Sequence, residues 1–191
     1  MEPLPRTFYD RNAVKVAPQL LGCVLARRTR SGWILGRIVE TEAYVGEHDL
    51  ACHARVGRTA RTEVMYGEPG HAYVYLIYGI HQMLNCVCGP GSDANAVLVR
   101  AAEPVPDSAP WLHSSARGPG NVCKAFGIRL DDNRADLCDR EGGLLILPRR
   151  GRPRVVRGPR IGVEYSGKWA QEPLRFCDAN SSHLSRPASA R

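Results

Sequence analysis

Apolar and polar residues alternate over short stretches of this 191-residue chain, and turn residues separate the stretches. Residues 33–44 and 72–78 are rich in β-branched and aromatic side chains, a composition typical of strands. Gly79 interrupts the second stretch and an apolar run resumes over 83–88, which predicts a β-hairpin. Short apolar runs bounded by turn residues predict further strands at 23–26, 96–100, 144–147, 160–163 and 174–176.

Two segments carry helix signals instead. Asp10 or Asn12 can cap a helix that runs to Leu21, with Pro18 as a point of bending or restart. Residues 118–121 open a second helix, which Gly127 ends.

The remaining segments are polar. Residues 47–70 form a long loop rich in Arg and Gly, and long loops in compact domains usually carry function. Residues 149–154 form a basic loop, and we expect a disordered tail over 179–191. The sequence therefore predicts one α+β domain over 1–178. Its curved, mainly antiparallel β-sheet is flanked by short helices, and the hairpin protrudes from it.

The chain is basic, with 26 Lys and Arg against 19 Asp and Glu and a net charge of +7. Arginine dominates, and its guanidinium binds phosphates in a forked geometry, which fits a polyanionic partner, but a merely solvated basic surface fits the composition as well. Charge alone leaves both interpretations open. No apolar run approaches the roughly 18 residues of a membrane span. The first six residues hold no signal sequence, so we expect a protein that is not secreted and meets no membrane.

Two carboxylates and a phenol lie on one face of the strand at 33–44. Side chains alternate along a strand, so Glu40, Glu42 and Tyr44 point the same way. This pattern fits either a reactive site or an edge strand with one solvated face. Tyrosines recur in the hairpin: Tyr73 and Tyr75 share a face, and Tyr78 falls at the tip.

Aromatic side chains on a sheet can stack a nucleobase, and a tip residue can wedge into a duplex. Ordinary sheet packing is the better interpretation for Tyr73.

Three isolated polar residues stand out, namely His53 in the long loop, Asn85 in an apolar strand and Arg100 at a strand end. Seven scattered cysteines form no Cys-x-x-Cys pair, which favours reduced thiols over a zinc site or disulfides. Phosphate-binding, dinucleotide-binding and zinc-deaminase motifs are missing too, which argues against those three classes of protein.

Taken together, these residues resemble the alkyladenine (3-methyladenine) DNA glycosylase family. The resemblance spans roughly residues 8–177, with its motifs in the family's order. The motifs lie at 20–25, 36–44, 69–79, Asn85, 97–104, 118–121 and 169–176.

The resemblance implies a base-excision repair enzyme that flips alkylated or deaminated purines out of duplex DNA from the minor groove. Hydrolysis of the N-glycosidic bond leaves an abasic site, with no lyase step. In this family pattern Glu42 is the general base for the attacking water, and His53 and Arg100 position that water. The implied protein is a monomer that needs no metal and works where the genome is, in the bacterial cytoplasm or the eukaryotic nucleus.

The same resemblance assigns the substrate contacts. Tyr44 and Tyr75 would sandwich the damaged base, with His53 in the pocket wall and hydrogen-bonded to the flipped nucleotide. Asn85 would exclude normal guanine by a clash with its amino group. The tip residues Tyr78 and Ile80 would intercalate into the duplex.

Two positions depart from the family pattern: Tyr66 stands where Phe is expected, and 177–180 differs from the usual ending. Two other functions fit the residues alone. A carbohydrate glycosidase could use Glu40 and Glu42, since residues two apart on a strand lie about 6.5–7 Å apart, near the inverting range. A non-enzymatic protein that binds distorted DNA is the second, although an acidic strand would oppose phosphate binding.

Overall fold

The computed structural model describes residues 1–106 and 108–187, and within them eight strands join into one curled sheet, which confirms the α+β fold. Six strands follow the order β3-β4-β5-β2-β1-β6, and β8 pairs with both β2 and β7. Every pairing is antiparallel. The strands are β1 (Val24–Thr29), β2 (Gly32–Val45), β3 (Ala72–Ile77), β4 (His81–Cys88), β5 (Asn95–Pro104), β6 (Leu144–Leu147), β7 (Val155–Gly158) and β8 (Arg175–Asp178).

Strand β2 is the centre of the sheet. Its first half pairs with β1, and its second half lies between β5 and β8. The hydroxyl of Thr41 donates to the Ala17 carbonyl at 2.9 Å, which places a helix against the Thr41 face. Glu40 and Glu42 are fully buried on the other face. The edge-strand interpretation is therefore wrong, because both sides and both faces of this segment are covered.

Three α-helices pack around the sheet in the described ranges: α1 (Arg6–Tyr9), α2 (Ala13–Leu20) and α3 (Pro119–Phe126). The Asn12 side chain caps α2 by accepting from the Val14 amide, as predicted. Helix α2 continues through Pro18. Gly127 ends α3 in the left-handed conformation, with φ of 61°.

The β3–β4 hairpin is confirmed. Tyr78 has a φ of 53°, a conformation that a strand cannot contain, so β3 stops one residue earlier than predicted. Gly79 follows with a φ of 71° and completes the tight turn. The backbone of the turn thereby sets the tip residues clear of the sheet.

The strand predicted at 160–163 is wrong. The local strand is β7, five residues earlier, and Gly162 has a φ of 77° that interrupts extended structure. Ile161 and Val163 do alternate with polar residues. However, the Arg160 side chain is committed to a buried ion pair, and the Ile161 amide binds a side chain instead of a neighbouring strand.

The disordered tail predicted over 179–191 does not fit its described part, residues 179–187. Ser181 donates to Glu103, and Ser185 donates to Glu40 from both its amide and its hydroxyl. These contacts hold the segment against the sheet. Residues 188–191 lie outside the described residues.

The long polar loop contains two short 3₁₀ helices, His53–Val56 and Glu63–Tyr66. All seven cysteines are free thiols, as expected, and burial raises the pKa of Cys123 to about 12. None of the helices in the described ranges is both long and apolar enough to cross a membrane.

Candidate active site

A cavity of about 260 Å³ opens between the hairpin, strand β5, the loop after β2 and the segment around residue 161. Six of the eight residues that the sequence singled out line it. They are Tyr44, His53, Tyr75, Tyr78, Asn85 and Arg100. Glu42 lies directly behind this lining, and Ile80 lies beside it on the hairpin turn. The structure thus brings together residues from four separate segments.

Three donors hold the carboxylate of Glu42. The Tyr44 hydroxyl and the Arg100 guanidinium donate to Oε2 at 2.9 and 3.3 Å. The Ile161 amide donates to Oε1 at 2.8 Å. All three donors line the cavity. A carboxylate offers about four acceptor positions, and the described residues occupy three of them at Glu42.

Glu40 has a different environment, which we call the Glu40 cluster: Glu40 with Arg100, Arg175 and Ser185. Oε1 accepts from Arg100 Nε at 3.2 Å, from Arg175 Nε at 2.7 Å and from the Ser185 hydroxyl at 2.8 Å. Oε2 accepts from the Ser185 amide at 2.6 Å. Three of these four donors come from Arg175 and Ser185, which do not line the cavity.

Arg100 joins the two carboxylates and is only 7% exposed. Burial opposes its charge, but Glu42 and Glu40 raise the pKa of Arg100 above its usual value. The guanidinium therefore stays charged between the two acids. This arrangement also argues against the carbohydrate glycosidase, because such an enzyme places its carboxylates on opposite sides of a substrate.

Aromatic rings form the cavity walls. Burial and then the charge of Glu42 raise the pKa of Tyr44 well above its usual value, so its hydroxyl remains a donor. The centre of the Tyr75 ring lies 4.5 Å from the centre of the His53 ring, which it meets edge-on. It lies 5.1 Å from the centre of the Tyr73 ring. Tyr73 is buried, as sheet packing predicts, but it also lines the cavity.

His53 lies half-buried in the wall, with Nδ1 2.8 Å from the Tyr73 hydroxyl. Burial, together with the nearby charges of Arg61 and Arg55, lowers the pKa of His53 to about 4. The imidazole is therefore neutral at pH 7. A neutral ring carries one donor and one acceptor, which suits it to orient a polar ligand.

Asn85 is held rigidly on β4. Its side chain is 3% exposed, and Nδ2 donates to the Tyr73 carbonyl at 3.2 Å. A side chain fixed in this way cannot swing aside for a bulkier ligand. The sequence signal, an amide in an apolar strand, thus pointed to a residue that lines the cavity.

The hairpin tip exposes two large side chains. Tyr78 is 85% exposed and Ile80 66%. Isolated exposed apolar residues are common, but a pair on a turn beside a cavity suits insertion into a partner.

Sequence reasoning missed the site residues that come from segments far along the chain from Glu42 and Tyr44. Ile161 contributes only its backbone amide to Glu42, and no side-chain pattern signals such a role. Arg160 places its guanidinium 4.7 Å from the centre of the Tyr44 ring, and Asp49 pairs with it in the buried interior. In the described part of the chain, no three His, Cys, Asp or Glu side chains cluster as a metal site.

Comparison with known proteins gives a consistent result. A sequence profile of the methylpurine-DNA glycosylase family matches residues 7–182. A Myxococcus xanthus protein is 49% identical over 190 residues, covering 97% of this chain and 95% of its own. A Methanocella arvoryzae protein is 46% identical over 197 residues, covering 98% of each chain. Both relatives carry the name 3-methyladenine DNA glycosylase as a provisional assignment.

The fold and the site define a class of protein in which a cavity adjoins buried carboxylates on a curled sheet. The comparisons identify this class as the N-glycosylases of DNA repair. The chain belongs to the methylpurine-DNA glycosylase family. The enzyme class and the DNA substrate implied by the sequence motifs are confirmed. Neither the carbohydrate glycosidase nor the non-enzymatic DNA-binding protein is supported.

Proposed function

We propose that this glycosylase approaches duplex DNA from the minor groove and flips alkylated or deaminated purines into the cavity. It then hydrolyses the N-glycosidic bond and leaves an abasic site without cutting the strand. The observation that carries this proposal is the environment of Glu42. Its carboxylate is buried, is bound by three residues of the cavity wall and has one acceptor position left for a water molecule.

Glu42 acts as the general base in this mechanism. A water bound at the free acceptor position gives its proton to the carboxylate as its oxygen attacks C1′ of the sugar. The bond between C1′ and the base breaks, and its electron pair leaves with the base. The carboxylate also stabilises the positive charge that develops on the sugar. Arg100 and His53 help to position the water.

Base recognition rests on stacking. Tyr44 and Tyr75 present π-faces to an extruded base, and a cationic alkylated purine gains most from electron-rich rings. Asn85 meets the base edge and, because its amide is fixed to Tyr73, rejects the extra amino group of normal guanine.

DNA binding rests on the hairpin tip and on charge. Tyr78 fills the gap that the flipped base leaves in the stack, and Ile80 lies beside it as a minor-groove wedge. The net charge of +7 makes binding fall steeply as salt is added. We also propose that the protein acts as a monomer.

The absence of a lyase step has its own support. A lyase of the Schiff-base type needs an amine near the sugar. Among the cavity-lining residues of the described ranges there is no lysine.

A base-release assay tests the proposal. Duplex oligonucleotides that carry hypoxanthine, ethenoadenine or 3-methyladenine are incubated with the protein and split into two portions, one of which is treated with alkali. We expect strand breaks only after alkali, and none with the undamaged duplex. Breaks without alkali would contradict the monofunctional reaction, and a lack of breaks for every lesion would contradict the proposed function.

A further inference from the structure

Asp49 and Arg160 form a buried ion pair next to the cavity but outside its lining. Both side chains have 0% exposed area. Arg160 Nη1 lies 2.5 Å from Asp49 Oδ2, and Nη2 lies 2.8 Å from Oδ1, a forked geometry. Burial of such a pair has a large desolvation cost, and Arg160 Nε finds no partner within the part of the chain that the structure describes. Stability alone is therefore a poor explanation for it.

The pair connects three segments of the site. Arg160 donates to the Ala43 carbonyl at the end of β2, at 2.9 Å, and to the Trp169 carbonyl at 3.4 Å. Asp49 accepts from the Val45 amide at 3.2 Å and from the Ala51 amide at 2.9 Å. The segment that Asp49 holds leads directly into His53.

Two contacts of the site depend on where Arg160 sits. Its guanidinium lies 4.7 Å from the centre of the Tyr44 ring, so it supports that ring from outside the cavity. The next residue, Ile161, donates its amide to Glu42. Gly162 follows with a φ of 77° and open space where a β-carbon would lie, so no side chain at residue 162 packs there to fix the direction of the Ile161 amide.

We propose that Asp49 and Arg160 are a positioning pair, which aims the Ile161 amide at Glu42 and holds Tyr44 in place. Neither residue touches the substrate. Their effect on the reaction passes through Glu42, so the catalytic part of this inference rests on the proposed function.

Two variants test it. Arg160→Lys keeps the charge but loses the fork, and Asp49→Asn with Arg160→Gln removes both charges and leaves no unpaired ion. The matched control is Arg37→Lys. Arg37 forms ion pairs with Glu103 and Asp178 in the sheet, and it does not line the cavity.

Two measurements are made on each folded variant: the single-turnover rate of base release with its half-saturating DNA concentration, and hydrogen exchange at the Ile161 amide. We expect both site variants to lose roughly 100-fold in rate, with half-saturation changed less than about threefold because phosphate contacts dominate binding. The Ile161 amide should exchange faster than in the wild type. Arg37→Lys should retain its rate within about twofold, since a misplacement elsewhere leaves the reacting groups aligned.

Rates that fall equally in Arg160→Lys and Arg37→Lys would overturn the inference, and so would unchanged exchange at Ile161. The exchange measurement does not depend on activity. If the wild-type protein released no base, the proposed function would fail, while exchange would still decide whether the pair positions the amide.

Discussion

Glu40 and Glu42 lie two residues apart on one strand face, are both fully buried and share a bond to Arg100, yet their regions differ in kind. The Glu40 cluster is set away from the cavity, because Arg175 and Ser185, which supply three of its four donors, do not line the cavity. All three donors of Glu42 belong to residues that line the cavity. Burial and residue type are therefore poor guides to function, whereas a carboxylate held entirely by residues of a cavity wall is a good one.

Loss of the Glu42 carboxylate gives the largest expected effect on the reaction. Glu42→Gln keeps the size of the side chain but removes the base, so the single-turnover rate of base release should fall about 100- to 10,000-fold. Half-saturation with DNA should change little. Base release as fast as in the wild type would contradict the role of Glu42.

The same substitution at Glu40 should lower the free energy of unfolding. Glu40→Gln leaves Arg175 buried without a counter-charge, and removal of one partner from a buried pair costs about 3–5 kcal/mol. Urea unfolding measures this loss. Base release per folded molecule should fall far less than in Glu42→Gln. A variant that is stable but inactive would reverse the comparison.

A substitution at Ser185 should destabilise the Glu40 cluster less than Glu40→Gln does. Ser185→Ala removes one hydroxyl donor to Glu40 and retains the amide donor. A hydrogen bond to a charged group contributes about 1.5–3 kcal/mol, so the free energy of unfolding should fall by up to that amount. Ser182→Ala, on the exposed side of the same segment, is the control and should have no measurable effect.

The fold could be read from the sequence where the signal is local. The aromatic strand at 72–77 and the helix that Asn12 caps follow from residues next to each other in the chain. The strand at 155–158 is short and lies in an arginine-rich stretch, so no clear alternation marks it.

The candidate site could be predicted only in part from the sequence, because only local signals can be recognised there. Spacing placed Glu40, Glu42 and Tyr44 on one face. It could not separate the two acids, because their distinguishing donors are distant: the Ile161 amide is 119 residues from Glu42, and Ser185 is 145 residues from Glu40. Only the folded chain shows which acid is held by residues of the cavity wall.

The hairpin tip belongs to the cavity region but should affect affinity alone. Tyr78 is exposed, so Tyr78→Ala should leave stability unchanged and weaken binding to a damaged duplex. An aromatic ring stacked in DNA contributes about 1–3 kcal/mol per base, or about 5- to 150-fold in Kd. Leu112→Ala, at 64% exposure and away from the cavity lining, is the control. A loss of rate at saturating DNA with normal affinity would contradict the wedge role.

The smallest expected effect comes from His53 in the cavity wall. It is a change in how the free energy of unfolding depends on pH. Its pKa is lowered to about 4 in the folded protein, while an unfolded histidine titrates near 6.5. Between these values the unfolded chain binds more protons, so stability should fall as the pH drops from about 6.5 towards 4. His53→Gln removes this contribution and should flatten the slope of unfolding free energy against pH in that window. Equal slopes for His53→Gln and the wild type would show that the imidazole is not held neutral in the cavity wall.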